Sequence, residues 1–105
     1  MMTFALIRQW AEARNLIKGS TPDRQLVKLF EEAEELEEAI IKDDREEYID
    51  AIGDCIVVLT IMAAQRGLNV EDCIEHAYQQ IKDRKGRMVD GIFVKEDDLA
   101  AKAIA

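Results

Sequence analysis

The sequence predicts an all-α fold, an antiparallel bundle of about four helices. Three observations predict it. One proline and five glycines in 105 residues leave few positions where the chain can turn sharply. Apolar residues recur three and four apart through most of the chain, the spacing of a helix face. The composition, 49% hydrophobic and 34% charged, supports a folded core, and no repeat or Pro/Ser-rich tract argues for disorder. The length suits one domain, taken as residues 1–95, with a C-terminal tail over 96–105.

The first helix is expected over about Thr3 to Lys18, with Phe4, Ile7, Trp10, Ala11 and Ile17 at helical spacings. Gly19-Ser20-Thr21-Pro22-Asp23 breaks it. Ser20 or Thr21 can cap the next helix, with Pro22 near its first position. That helix should run to Lys42, burying Leu26, Leu29, Phe30, Ala33, Leu36 and Ile40. After a polar link, Asp44 with Glu47 fits a capping box. A third helix should follow to Arg66, ended by Gly67. Asn69 can cap a fourth, Val70 to Lys85, stopped at Gly86. Arg87 to Lys95 reads as an extended segment, and the last ten residues as a frayed helix or a disordered tail.

The third helix is apolar on every side from Ile56 to Ala64. Such a helix is buried all round, which a single small chain hardly achieves. Part of it is therefore expected at an oligomer interface, in a homodimer or homotetramer.

Charge and targeting exclude other classes. With 22 acidic and 14 basic residues the net charge is -8, which opposes binding to polymeric nucleic acid. The longest apolar run, Cys55 to Ala64, is too short for a bilayer, which needs about 20 residues. No signal peptide opens the chain, since Arg8, Glu12 and Arg14 interrupt its apolar residues. Cys55 and Cys73 form no CxxC and have no His-rich partners, so they read as buried reduced thiols. A cytoplasmic protein without membrane partners is expected.

The chemistry lies in the acids. Six glutamates fall within Glu31 to Glu38, closer than like charges on a helix favour. On the third helix Glu47, Asp50 and Asp54 share one face, and Val57, Ile61 and Ala64 continue it. An unpaired carboxylate beside an apolar run is unfavourable, so a cation is expected near Asp54. The few bases nearby, Lys28, Lys42 and Arg45, do not balance so many acids. Mg²⁺ takes hard oxygen ligands and fits carboxylates from two antiparallel helices, with Mn²⁺ as a substitute. Zn²⁺ is disfavoured, because the one histidine, His76, is isolated and reads as a surface residue.

Lys28-Leu29-Phe30-Glu31-Glu32-Ala33-Glu34-Glu35-Leu36, followed by Asp50-Ala51-Ile52-Gly53-Asp54 and an apolar run, resembles the MazG-like nucleoside triphosphate pyrophosphohydrolases. The likeness spans about Leu26 to Arg87 and looks closest to short, single-domain bacterial and phage members. The family pattern pairs EExxE on one helix with an ExxD-type motif on the next. The first maps to Glu31, Glu32 and Glu35, and the aspartate of the second to Asp54. The glutamate of the second motif falls on Ala51, a departure, and Asp50 is placed to supply the missing carboxylate. Glu47 with Asp50 also spells ExxD. The resemblance implies an all-α, Mg²⁺-dependent enzyme that hydrolyses a nucleotide to monophosphate and pyrophosphate. It implies Glu32, Glu35, Asp54 and Asp50 as metal ligands, and Glu31 or Glu35 as the base orienting water. Deoxy or non-standard nucleoside triphosphates are the expected substrates. An alarmone on the same fold, or a non-catalytic acidic helical adaptor, are the alternatives.

Two further features bear on substrate. Lys82, Arg84, Lys85 and Arg87 either complement a helix C-terminus or form a phosphate clamp. Trp10 fits either the core or a stacking surface for a base.

Overall fold

A computed structural model describes residues 2–99. The elements are α1 (Met2–Ala13), α2 (Pro22–Lys42), α3 (Arg45–Gln65), α4 (Val70–Ile81), β1 (Gly86–Val89) and β2 (Ile92–Lys95), then a helical turn over 96–99. The rest of the expected tail, 100–105, lies outside the described residues. The chain forms two compact units, one through Cys73 and one from Ile74.

In the first unit α2 and α3 form a helical hairpin across the link Asp43-Asp44, and α1 packs on α3. Pro22 opens α2 after Thr21. Asp44 caps α3, its side chain accepting a bond from the Glu47 amide at 3.1 Å. Each of the three helices ends the same way. The residue just past the last turn takes a positive φ: Asn15 at 58°, Asp43 at 54° and Gly67 at 73°. The next amide then reaches back five residues, from Leu16 to Ala11, Asp44 to Ala39, and Leu68 to Ala63, at 2.9–3.0 Å. The first helix is therefore shorter than expected, because Asn15 reverses the chain before Lys18.

The face of α2 against α3 also differs from expectation. Leu29 and Leu36 are half-buried, but Leu26, Phe30, Ala33 and Ile40 are exposed. Glu32 and Ala39 are buried instead. They belong to a second stripe, Gln25-Leu29-Glu32-Leu36-Ala39, spaced four and three apart. Ala39 on α2 and Ala51 on α3, both buried, present small side chains where the two helices pack. The apolar stretch of α3 is covered in part: Val58, Thr60 and Ile61 are buried, while Ile56 and Leu59 stay exposed. With Ile49 and Ile52 they form an uncovered stripe on the side of α3 opposite Asp54.

One ion pair joins distant parts of this unit. The Arg8 guanidinium donates two bonds to the Glu71 carboxylate, at 2.5 and 2.8 Å, from α1 to the first turn of α4. Gln65 Nε2 donates to the Leu16 carbonyl at 3.0 Å.

The second unit corrects the all-α expectation. α4 ends at Ile81, and Gly86 opens a strand instead of stopping a helix. β1 and β2 pair antiparallel, with Val89 opposite Ile92 and Gly86 opposite Lys95. The turn is Asp90-Gly91, with φ of 51° and 82°, both positive as a type I′ turn requires. At Gly86 an added Cβ would lie 2.2 Å from the Val94 carbonyl oxygen, so glycine lets the strands approach. Among the described residues no helix is long and apolar enough to cross a membrane.

Arg8 holds the Glu71 carboxyl at about 2, well below its ordinary 4.5. A depressed value means the pair stabilises the fold above pH 4.5 and is lost as the pH falls toward 2. In thermal melts across that window, Glu71→Gln should lose less stability than the natural protein. Parallel losses would show that the pair contributes nothing.

Candidate metal centre

The link Asp43-Asp44 sets what meets across the helical hairpin. Glu32 lies eleven residues before Asp43 and Asp54 ten after Asp44, so the fold-back brings them level. Glu35 is one turn along from Glu32 and projects from the same side of α2. One carboxylate oxygen from each of Glu32, Glu35 and Asp54 lies within 4.8 Å of the others.

Their environments differ. Glu32 is only 6% exposed, whereas Glu35 and Asp54 are open to solvent. Lys28 Nζ stands 3.4 Å from Glu32 Oε1 and 3.2 Å from Glu31 Oε2. Glu31 and then Glu32 raise the lysine above its ordinary value by bonding its charged form. Glu32 Oε2 is buried without a hydrogen-bond partner. Although the residue is largely exposed, partial desolvation of the Asp54 carboxyl by its neighbours pushes it up, and the charges of Glu32 and Asp50 push it further, against Lys28. Burial also raises the Cys55 thiol, with Glu32 adding to it, so this is no activated nucleophile.

Two concavities meet at Asp54. A cavity of about 330 Å³ is lined by Glu35, Glu38, Glu47, Asp50, Ala51 and Asp54. A groove of about 380 Å³ between α1 and α3 is lined by Thr3, Leu6, Ile7, Trp10, Asp54 and Val57. Trp10 is half exposed on that groove, with the Arg14 guanidinium 4.4 Å from its ring centre.

Each expected site residue can now be placed. Glu32, Glu35 and Asp54 converge, and Asp50 lines the adjoining cavity beside Ala51. Glu31 points outward, exposed and paired with Lys28. Glu38 is exposed, yet it lines the acidic cavity, so it is not an inert member of the glutamate run. Lys82, Lys85 and Arg87 belong to the second unit. Lys85, with Arg84 and Lys95, faces Asp83, Glu96 and Asp97 around one cavity, a charge-balanced lining. His76 and Cys73 are exposed; the thiol of Cys73 is therefore not buried as expected. Of the groove wall, Ile7 and Trp10 were visible as helix periodicity and Thr3 and Leu6 were not, and nothing local pairs Arg8 with Glu71.

The donor set fits a hard divalent cation. It offers oxygens only, and one of them is a buried carboxylate oxygen with no other partner. Residues 12–80 match the family Phosphoribosyl-ATP pyrophosphohydrolase (PRA-PH). The chain belongs to the phosphoribosyl-ATP pyrophosphohydrolase family. That family sits within the MazG-like superfamily, and its members are hydrolases of acid anhydrides. An uncharacterized 18.2 kDa protein in the rep-hol intergenic region of Haemophilus phage HP1 (strain HP1c1) is 46% identical over 63 residues. The match covers 60% of this chain and 39% of that protein. No solved structure matches the chain. The PRA-PH match contains α2 and α3 whole, and so all three converging carboxylates.

If the trio is a metal site, Mg²⁺ or Mn²⁺ should raise the melting temperature, by about 4–8 °C for each kcal/mol of binding in a domain this size. Asp54→Asn should abolish the response and should melt higher than the natural chain without metal, since it relieves repulsion with Glu32 and Asp50. An unchanged metal response would remove Asp54 from the site.

Proposed function

We propose that the chain is a Mg²⁺-dependent nucleotide pyrophosphohydrolase, cleaving a nucleoside triphosphate between its α and β phosphates. Deoxy or non-standard triphosphates are the substrates we favour. The observation that carries this reading is the buried Glu32, whose Oε2 has no hydrogen-bond partner, clustered with Glu35 and with Asp54, which also lines an aromatic-walled groove. An acidic docking surface has no use for a buried carboxylate, which argues against the adaptor alternative.

Glu32, Glu35 and Asp54 hold the cation, with Asp50 in reserve on the cavity wall. Bound Mg²⁺ supplies charge neutralisation for the triphosphate and acidifies water. Glu35 takes the proton as water attacks the α phosphorus; Glu31, the other candidate base, is exposed and paired with Lys28. The α–β bridging bond breaks and pyrophosphate leaves with the electron pair. Trp10 offers its ring to the base. An alarmone and phosphoribosyl-ATP, the substrate in the family's name, offer the same anhydride chemistry.

A panel of these nucleotides with Mg²⁺, scored for pyrophosphate release, tests the reading. Glu35→Gln should lose roughly 10²-fold or more in rate, the effect of removing a group that acts in the transition state. Glu34→Gln is the control, because Glu34 sits about 200° around α2 from Glu32. Equal rates in the two variants, or no pyrophosphate from any nucleotide, would favour the adaptor. Diphosphate plus phosphate would mean attack at the terminal phosphorus.

We also propose that a second copy covers Ile49, Ile52, Ile56 and Leu59. One chain buries few apolar residues of its own, Ala11, Ala39, Ala51, Val58, Ile61 and Val70 among those described, and this stripe continues the central helix. A two-fold axis lets one stripe pack on its own copy. Light scattering at micromolar concentration should give at least twice the 12.0 kDa chain mass, and Ile56→Lys should shift it toward monomer. A monomeric natural protein would refute the assembly.

A further inference from the structure

The apolar groove depends on how α1 lies on α3. Four of its six lining residues, Thr3, Leu6, Ile7 and Trp10, come from α1. Yet α1 is weakly anchored. Ala11 is its one buried residue, and Leu6 and Trp10 are exposed. Few other ties hold it. The Gln65 bond to Leu16 fixes the turn after the helix, not the helix itself. The Arg8 fork on Glu71 does fix the helix, and it is the one ion pair between distant residues among those described.

The position of Arg8 decides what this tie controls. Arg8 and Trp10 are two residues apart, about 200° around the helix, with Ile7 and Ala11 between them on the inward side. Arg8 therefore stands on one flank of α1 and Trp10 on the other. A strut on one flank sets the roll of the helix about its own axis. Side chains lie about 5–6 Å from that axis, so a 20° roll moves the indole by about 2 Å. A displacement of that size is enough to spoil stacking on a bound ring. Bidentate pairing suits the task, because the planar fork fixes orientation as well as distance. Glu71 is well placed to receive it, in the first turn of α4, where the helix dipole favours a carboxylate.

We propose that Arg8 and Glu71 are positioning residues, whose ion pair sets the roll of α1 and so places Trp10 in the groove beside Asp54. The consequence for catalysis rests on the reading of this groove as the site of the nucleotide's ring. The placement of Trp10 does not, and it can be read without substrate.

Trp10 is the only tryptophan in the chain, so its emission and its quenching by acrylamide report this wall alone. Arg8→Met keeps the apolar stem and removes the fork, and Glu71→Gln removes the charge at constant shape. Both should shift the emission maximum and change the quenching constant. The reversed pair, Arg8→Glu with Glu71→Arg, should recover at least half of each change. Ala39→Gly, a destabilised control in α2, should leave both signals as they are. The rise in melting temperature with Mg²⁺ should persist in every variant, because α2 and α3 carry the carboxylates. With nucleotide, KM should rise about tenfold in Arg8→Met while kcat stays within twofold. Unchanged emission and quenching in both single variants, or an equal shift in Ala39→Gly, overturns the proposal. A natural protein that hydrolyses no nucleotide sinks the functional reading and leaves the fluorescence result to decide this one.

Discussion

A carboxylate buried at 6% exposure, with one oxygen unpartnered, is the constraint around which the first unit is arranged. A lone buried charge is strongly unfavourable, and a buried acid normally finds a base or a cation. Glu32 has one base near it, Lys28, which it shares with Glu31. Glu35 and Asp54 bring two more acids close to it. The arrangement therefore weakens the unliganded fold where α2 and α3 pack together. Small residues, Ala39 and Ala51, pack nearby in the same hairpin, and the link Asp43-Asp44 fixes the register that brings Asp54 level with Glu32. A slip of one residue would turn Asp54 by 100° and dissolve the cluster.

Much of this fold was legible from local chemistry. Pro22, Asp44 with Glu47, and Gly67 each act within four residues of themselves, and each marks a helix end in the structure, whereas Thr21, at the N-cap of α2, makes no side-chain cap bond. Asn15 and Asp43 make the same kind of end without glycine, so the first helix reads too long. The Asp90-Gly91 pair is a hairpin signal that a helix-based reading passes over, which is why the strands stood as one extended segment. On α2 the apolar stripe through Leu26, Phe30, Ala33 and Ile40 runs beside a mixed one, Gln25-Leu29-Glu32-Leu36-Ala39. Periodicity cannot choose between them, because the choice is made by what α3 presents.

The site divides along the same line. Glu32, Glu35 and Asp54 each stand on regular helices joined by a two-residue link, so spacing and motif bring them together. The groove depends on α1 meeting α3, residues some fifty apart, and no local pattern encodes that distance. Arg8 with Glu71 is the extreme case, since neither residue stands out in its own neighbourhood. The basic run after α4 fits either a helix C-terminus or a phosphate clamp; the fold sets Asp83, Glu96 and Asp97 around one cavity with Arg84, Lys85 and Lys95.

Asp54 is the residue that belongs to both concavities, and its position along α3 explains why. On one face of this helix Glu47, Asp50 and Asp54 are followed by Val57 and Ile61, so polarity falls along the face. The glutamates of α2 meet the acidic part, and α1 meets the part that begins at Asp54. A carboxylate one turn later, at Val58, would be buried away from Glu35. One turn earlier, at Ala51 or Asp50, it would line the acidic cavity and lose the groove. Among the described residues lining the two concavities, position 54 alone gives one side chain to the charged wall and to the apolar one.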